Sequence, residues 1–304
     1  MKPTGIIPAI GTPLGPGDRI DEAGLRRLTR YLLDAGVHGL FVNGSMGGFA
    51  FMTDTEQVRA IATVASETDG AVPVMAGLGE TSTSRAVVQA RRIARERVDF
   101  LTVLPPFFFM ATQQHLVAYF SEIAAAVDLP ILLYDNPVLT KNPILPETIA
   151  ELHSKIPHIV GIKESNQDCV NLQTLLRLVG GDPDFSVLTG SEFLAFVNLQ
   201  MGVDGCIGGL YNVCPALAVD LYKAFREGDA ARAARRQQEL IETWQIFQHG
   251  AIWGAFDEAL RHLGICDRAT GAPYITAVSD KEREKIHAIL DRYATPYAPA
   301  SPTA

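Results

Sequence analysis

Short apolar runs bounded by turn residues recur along the first two thirds of the chain. They begin near Ile6, Gly39, Pro73, Phe100, Ile131, Ile159, Phe185 and Gly205. Successive runs start about 30 residues apart, which is the usual length of one strand-and-helix unit. Each run is nearly continuous in apolar character, as expected of a parallel strand that is buried on both faces.

Amphipathic helical patterns fill the gaps between these runs. Thr53 followed by Glu56 predicts a capping box at the start of one helix. An apolar stripe over residues 172–179 predicts another, which ends at Gly180. Because the commonest open sheets of this kind use about five or six strands, eight strand-and-helix units predict an α/β fold of the closed (β/α)8 type, a TIM barrel.

The strand patterns stop near Gly228 and give way to helical ones. Three such patterns follow, over residues 229–248, 251–263 and 280–293. The predicted organisation is a barrel over residues 1–227, a C-terminal helical extension over 228–297 and a disordered tail over 298–304.

The balance of charges excludes several classes of partner. With 26 Lys+Arg against 34 Asp+Glu the formal net charge is −8, so no basic surface for nucleic acid or an anionic membrane is expected. The most hydrophobic stretch, 100–111, is interrupted by Pro105 and Pro106 and is too short for a membrane span. The Pro- and Gly-containing N-terminus does not resemble a signal peptide. We therefore expect a cytoplasmic protein with a small-molecule partner.

The four cysteines have no C-x-x-C spacing, so the sequence predicts neither a disulfide framework nor a zinc site.

Active sites of (β/α)8 barrels lie at the C-terminal ends of the strands, so the polar residues at those ends are the candidates for function. The sixth apolar run reaches Lys163 and the fifth reaches Tyr134. The second leads into a glycine-rich loop, 44–48, whose backbone N–H groups could hold an anion such as a carboxylate.

Each of these features also has an ordinary structural interpretation. The lysine could pair with Glu164, the tyrosine could serve packing alone, and the loop could be only a tight turn. A lysine attacks a carbonyl only when it is neutral, and at an ordinary pKa of about 10.4 it is almost wholly protonated at pH 7. Burial favours the neutral form. We expect Ile162, Ile207, Phe107 and Phe108 to line the barrel mouth and to provide that burial.

The order of the motifs is more specific than any one of them. G-S-x-G after the second run, L-Y-x-x-P at the fifth and G-I-K-E-S at the sixth resemble the dihydrodipicolinate synthase/N-acetylneuraminate lyase family of class I aldolases. The resemblance covers nearly the whole chain. It implies that Lys163 forms a Schiff base with a 2-oxo acid, usually pyruvate, that Tyr134 relays protons, and that Ser45 and Met46 bind the carboxylate. It also implies a homotetramer, with no metal or organic cofactor beyond the covalent imine.

Three segments depart from the family pattern. The loop is usually G-[TS]-T-G-E, whereas Met46 and Gly48 here remove one hydroxyl and one carboxylate. Phe107 and Phe108 stand where the synthase has paired tyrosines, one of which completes the proton relay across a subunit contact. The relay is therefore expected to be shortened to Ser45 and Tyr134.

The third departure concerns the second substrate. Leu139 stands where the synthase has an arginine that binds the carboxylate of aspartate semialdehyde, and Lys141 follows two residues later. We therefore expect Met46, Phe108, Leu139 and Ile207 to line the site for the aldehyde portion.

The predicted function is that of a Schiff-base lyase, which cleaves a 2-oxo acid to pyruvate and an aldehyde or catalyses the reverse condensation. Three alternatives stay open. One is dihydrodipicolinate (4-hydroxy-tetrahydrodipicolinate) synthase itself. Another is a dehydratase or deaminase of a 2-oxo-3-deoxy sugar acid that uses the same imine. The last is a non-catalytic 2-oxo acid-binding protein.

Overall fold

The computed structural model describes residues 2–298. Within them the strands form one eight-stranded parallel sheet in the order β1-β8-β7-β6-β5-β4-β3-β2. The strands are β1 (Gly5–Pro8), β2 (Leu40–Val42), β3 (Val74–Leu78), β4 (Phe100–Val103), β5 (Ile131–Asp135), β6 (Ile159–Glu164), β7 (Ser186–Thr189) and β8 (Gly205–Gly208). Each strand begins at, or next to, the residue at which the sequence predicts an apolar run.

Helices follow the strands along the chain. They are α1 (Glu22–Asp34), α2 (Asp54–Thr68), α3 (Thr83–Ile93), α4 (Gln113–Ala124), α5 (Pro137–Thr140), α6 (Pro146–Lys155), α7 (Cys169–Val179), α8 (Ala195–Met201), α9 (Pro215–Arg226), α10 (Ala230–Trp244), α11 (Ile252–His262) and α12 (Asp280–Tyr293). A parallel bridge between Ala9 and Phe41 joins β1 to β2 and brings the two ends of the sheet together. The predicted (β/α)8 barrel with a helical extension is confirmed.

Side chains alternate between the inside of the barrel and the layer beneath the helices, because successive residues of a strand point to opposite faces. The inner cluster consists of Ile7, Ala9, Phe41, Met75, Phe100, Leu104, Leu132, Tyr134, Leu188 and Ile207. Leu133 and Ile162 belong instead to the larger core between sheet and helices. Alternation thus turns Tyr134 and Lys163 inward, and it turns Asp135 and Glu164 outward.

The start of α2 differs in one detail from the predicted capping box. The Thr53 hydroxyl accepts the Glu56 N–H at 3.3 Å, as predicted. The Glu56 carboxylate does not return to Thr53, because it accepts the N–H of Ile20 at 2.8 Å. This half of the prediction is wrong: the carboxylate caps the segment before α1 rather than its own helix.

The C-terminal extension contacts the loop that follows β1 through Arg268, which lies between α11 and α12. Arg268 donates to the Asp18 carboxylate at 2.7 Å and to the Gly15 carbonyl at 2.5 Å. The N–H of Leu14 donates to the Arg268 carbonyl at 2.8 Å. The extension therefore buttresses the end of the barrel where the strands terminate. Apart from residue 298, the predicted tail lies outside the described residues.

No helix between residues 2 and 298 combines the length and apolar character that a membrane crossing requires. Over the same residues, no group of three or more His, Cys, Asp or Glu side chains is arranged to hold a metal ion.

Candidate active site

Lys163 lies inside the barrel near the C-terminal end of β6, and its side chain is only 5% exposed. It is paired in register with Tyr134 on β5. Its Nζ lies 4.2 Å from the centroid of the Tyr134 ring and 4.8 Å from that of Phe41. The amine therefore faces two aromatic rings in a nearly dry environment.

In the part of the chain that the structure describes, Lys163 has no carboxylate partner. Glu164 is its neighbour in sequence, but alternation along β6 places that carboxylate on the opposite face of the sheet. Among residues 2–298 no Asp or Glu oxygen lies within ion-pair distance of the Lys163 amine. The salt-bridge interpretation is therefore wrong, and the buried amine remains free to react.

The Tyr134 hydroxyl has two hydrogen-bonding neighbours. It lies 3.3 Å from the Ser45 hydroxyl, and it accepts a hydrogen bond from Asn136 Nδ2 at 3.2 Å. Burial raises the pKa of Tyr134, but the Lys163 charge and the hydrogen bonds from Ser45 and Asn136 outweigh it, so the net shift of this pKa is downward. Two side chains thus hold the phenol in place beside the amine.

Asn136 is a residue of the site that the sequence motifs do not predict. It follows Tyr134 by two residues in the segment Tyr134-Asp135-Asn136-Pro137, where it also caps α5. The Asn-Pro pair signals such a helix start. Nothing in the sequence shows that this capping side chain also reaches the tyrosine.

The glycine-rich loop forms a tight turn beside Tyr134. The Gly48 N–H donates to the Ser45 carbonyl at 3.0 Å, and Gly48 has a φ of 66°. Within the described part of the chain, the backbone N–H groups of Ser45 and Met46 donate to no acceptor. Two such donors beside the Ser45 hydroxyl, which lies 3.3 Å from the Tyr134 hydroxyl, suit a carboxylate.

The residues expected to line the barrel mouth lie in different layers of the structure. Ile207 belongs to the inner cluster, and the Met46 side chain covers Gly209, where a Cβ would lie 2.7 Å from Met46 Cε. Ile162 packs in the outer core, so the expectation that it lines the mouth is wrong: it directly precedes an inward-facing residue and must face outward.

The aromatic segment after β4 lies at the rim. The Phe107 ring packs edge-on against Phe49, with centroids 6.3 Å apart. Phe108 is 84% exposed and has a φ of 86°, which residues other than glycine rarely adopt. Leu139 is 59% exposed on α5, and Lys141 donates to the Val138 carbonyl at 2.9 Å. Phe108 and Leu139 therefore do not enclose the site within one chain.

Two buried carboxyl groups lie directly behind the amine and the phenol. Asp135 and Glu164 are paired in register and are 1% and 2% exposed. Burial raises the pKa of Asp135 to about 6, although the Ile144 N–H opposes this shift. Burial raises the pKa of Glu164 to about 7, helped by nearby Asp135.

A buried, unpaired lysine beside a hydrogen-bonded tyrosine, at the C-terminal end of a (β/α)8 barrel, has the features of a nucleophilic enzyme site. Similarity to known proteins identifies the family to which such an enzyme belongs. Residues 2–293 match the model of the dihydrodipicolinate synthetase family. The chain belongs to this family, as the sequence motifs predict.

Relatives in this family differ in the activities that their names describe. The chain is 30% identical to the probable 2-dehydro-3-deoxy-D-pentonate aldolase YjhH of Escherichia coli, covering 95% of this chain and 97% of that protein. It is 33% identical to a 4-hydroxy-tetrahydrodipicolinate synthase of Phenylobacterium zucineum, over 94% and 96% of the two chains. The crystal structure of Escherichia coli YagE in complex with pyruvate superimposes with a TM-score of 0.89 at 28% identity, covering 95% and 98%. The protein is thus an enzyme of the lyase and aldolase class.

Proposed function

We propose that the protein is a Schiff-base lyase that cleaves a 2-oxo acid to pyruvate and an aldehyde, or joins the two. The observation that carries this proposal is Lys163, which is 5% exposed and has no carboxylate partner among the described residues, with its amine 4.2 Å from the Tyr134 ring centroid. A structural lysine would be paired or would extend to solvent. A role in catalysis best explains an amine that is buried in this way.

The substrate carboxylate binds to the free N–H groups of Ser45 and Met46 in this proposal. That placement presents the adjacent ketone carbon to Lys163 and fixes the reacting atoms relative to each other. The hydroxyl of Ser45 lies on the same side and is 3.3 Å from the Tyr134 hydroxyl.

The reaction then needs only the side chains of this chain. The Lys163 amine gives up its proton and attacks the ketone carbon, and Tyr134 with Ser45 moves protons so that water leaves and a protonated imine forms. Tyr134 accepts the proton of the C4 hydroxyl as the C3–C4 bond breaks, and the electron pair of that bond passes to the imine to give an enamine. Protonation of the enamine at C3 and hydrolysis then release pyruvate and regenerate the amine. The covalent imine takes the place of a separate cofactor.

An uncharged aldehyde portion fits this site best. Leu139 replaces a cation, and the amine of Lys141 already binds the Val138 carbonyl at 2.9 Å. Met46 and Ile207 add apolar surface. The substrate class is then a 2-oxo-3-deoxy sugar acid, the type of compound named for YjhH, rather than aspartate semialdehyde. Dehydration of such an acid through the same imine is the second candidate, because the proposed carboxylate site and amine would serve it equally.

A second copy of the chain is proposed to cover the rim. Phe108, Phe109 and Met110 are 84%, 76% and 86% exposed, and the rings of Phe108 and Phe109 pack together at 5.0 Å. Such a cluster is unusual on the surface of a monomer. The strained φ of 86° at Phe108 holds its ring outward and is consistent with a contact that repays the strain. This contact would form part of the proposed homotetramer.

Borohydride trapping tests the proposed chemistry. The enzyme incubated with pyruvate and borohydride is expected to gain one reduced adduct per chain, located at Lys163 by peptide mass spectrometry. Lys163→Ala should gain none, whereas Lys141→Ala, a matched change at an exposed lysine, should be labelled like the wild type. Labelling that persists in Lys163→Ala would overturn the assignment.

Product analysis separates the remaining alternatives. A panel of 2-oxo-3-deoxy sugar acids should yield pyruvate and an aldehyde. A dehydratase or deaminase would keep the carbon chain intact, and a binding protein would form the adduct without turnover.

A further inference from the structure

Asn136 connects the start of α5 to the proposed proton carrier. Its Oδ1 accepts the N–H of Leu139 at 3.4 Å, as a helix cap does. Its Nδ2 lies 3.2 Å from the Tyr134 hydroxyl oxygen. One short side chain therefore joins a fixed backbone group to the phenol.

The chemistry of these groups sets the direction of both hydrogen bonds. The Leu139 N–H donates to the Asn136 main-chain carbonyl at 3.1 Å and also to the side-chain amide, and because it can only donate, the amide atom that faces it is the oxygen. The NH₂ group of the amide then faces the phenol, and it too can only donate. The Tyr134 oxygen must accept this bond, which leaves the phenol hydrogen free to be donated elsewhere.

We propose that Asn136 is a positioning residue that holds the Tyr134 phenol as a proton donor directed towards Ser45 and the substrate. The proposal rests on the proposed function, in which Tyr134 carries protons to and from the imine. Asn136 supplies a fixed partner for the phenol in a chain where Phe108 has no hydroxyl to offer.

The same hydrogen bond affects how easily the phenol gives up its proton. Lys163 is the charged group that faces the phenol, whereas Phe41 and Ser45 from the β2 side and Asn136 from β5 are neutral. A donor to the phenol oxygen stabilises the tyrosinate. Removing it should therefore raise the pKa of Tyr134 from its lowered value.

Asn136→Asp is the sharpest perturbation. The carboxylate keeps an oxygen for the Leu139 N–H, so α5 remains capped, but it offers the phenol an acceptor instead of a donor. The phenol hydrogen should turn towards the carboxylate and away from Ser45. Asn136→Ala removes the donor without adding charge and shows whether the effect needs the charge.

Asn142 provides a matched control on the same connection. It is 1% exposed and donates to the carbonyls of Pro106 at 2.6 Å and Phe109 at 2.9 Å, with no bond to the phenol. Asn142→Ala should therefore perturb the loops without changing the protonation of Tyr134.

The assay is exchange of the pyruvate methyl hydrogens with deuterium in heavy water, followed by NMR across a range of pH. Exchange requires the imine and its enamine but no aldehyde, so an unidentified second substrate does not limit it. Asn136→Asp should slow exchange at saturating pyruvate by about tenfold or more, with a smaller change in KM. In both Asn136 variants the fall in rate at high pH should move upward, because the pKa of Tyr134 rises when the donor to its oxygen is lost.

The outcomes distinguish the two proposals. Absence of exchange and of a borohydride adduct in the wild type would refute the proposed function. Exchange in the wild type, with Asn136 variants of unaltered rate and pH profile, would refute only the role of Asn136. So would a shift of the profile in Asn142→Ala equal to that in Asn136→Asp. Circular dichroism of each variant confirms that folded proteins are compared.

Discussion

Replacing Asp135 with asparagine should change how the stability of the protein depends on pH. Asp135 and Glu164 are register neighbours, and their side chains are 1% and 2% exposed. The Asp135 Oδ1 accepts the Ile144 N–H at 3.0 Å, whereas its Oδ2 has no partner among the described residues. Two carboxyl groups buried side by side resist simultaneous ionisation.

The magnitude follows from the shift in the pKa of Asp135. Burial raises this pKa from 3.8 to about 6. Each unit corresponds to about 1.4 kcal/mol, so ionised Asp135 costs at most about 3 kcal/mol of unfolding free energy. Because the folded-state value is the higher one, the native state binds more protons between the two values. The contribution of Asp135 to the unfolding free energy therefore falls as pH rises from about 4 to about 6 and is level above that window.

Urea unfolding at a series of pH values measures this effect directly. Asp135→Asn removes one titrating group and also the charge that helps raise the pKa of Glu164 to about 7. Between about pH 4 and pH 8 the variant should lose less unfolding free energy than the wild type, by up to about 3 kcal/mol. Protein concentration must be held fixed, because subunit association would add to the apparent stability.

The quantity to compare is the change in unfolding free energy with pH, not its value at one pH. Any pH-independent cost of placing an amide in the site then cancels. Asp128→Asn, a change at an exposed aspartate, should leave the pH dependence like that of the wild type. Parallel curves for the wild type and Asp135→Asn would refute the argument, because they would mean that Asp135 titrates alike in the folded and unfolded chain.

Four further outcomes are expected. Lys163→Arg should form no pyruvate adduct despite its retained charge, because a guanidinium is not deprotonated; a trapped adduct would contradict this. Tyr134→Phe should lower turnover by about 10²–10⁴-fold with the fold intact by circular dichroism, and retention of more than about a tenth of the activity would exclude the relay role. Condensation of pyruvate with aspartate semialdehyde should be poor. Leu139→Arg should improve it, by up to about 150-fold in affinity for the aldehyde. A wild-type efficiency equal to that of a dedicated synthase would show that Lys141 or another cation already binds the aldehyde carboxylate. Phe108→Ser should weaken subunit association in analytical ultracentrifugation, and an unchanged mass would remove this ring from the interface.

The barrel is predictable from the sequence because the position of each strand depends only on residues that are close together in the chain. A short apolar run between turn residues is buried on both faces wherever it lies in such a sheet, so the strand positions follow from the runs themselves. The placement of Lys163 and Tyr134 at strand ends follows from the same pattern. Two of the errors, Ile162 in the mouth and Glu164 as an ion-pair partner, ignore the alternation along β6, which the sequence already contains.

Other features depend on contacts between segments that are distant in sequence. The amine of Lys163 meets the ring of Phe41 only because the sheet curves until β1 and β2 meet. Ser45 reaches Tyr134 across 89 residues, and the exposure of Phe108 depends on the path of the loop after β4. Asn136 is near Tyr134 in sequence, but its amide reaches the phenol only through the geometry of the cap on α5. The sequence by itself determines the strands and the residue types at their ends, since these follow from local burial and periodicity. Only the tertiary structure decides which of those side chains meet, because that depends on the register of the strands and the closure of the barrel.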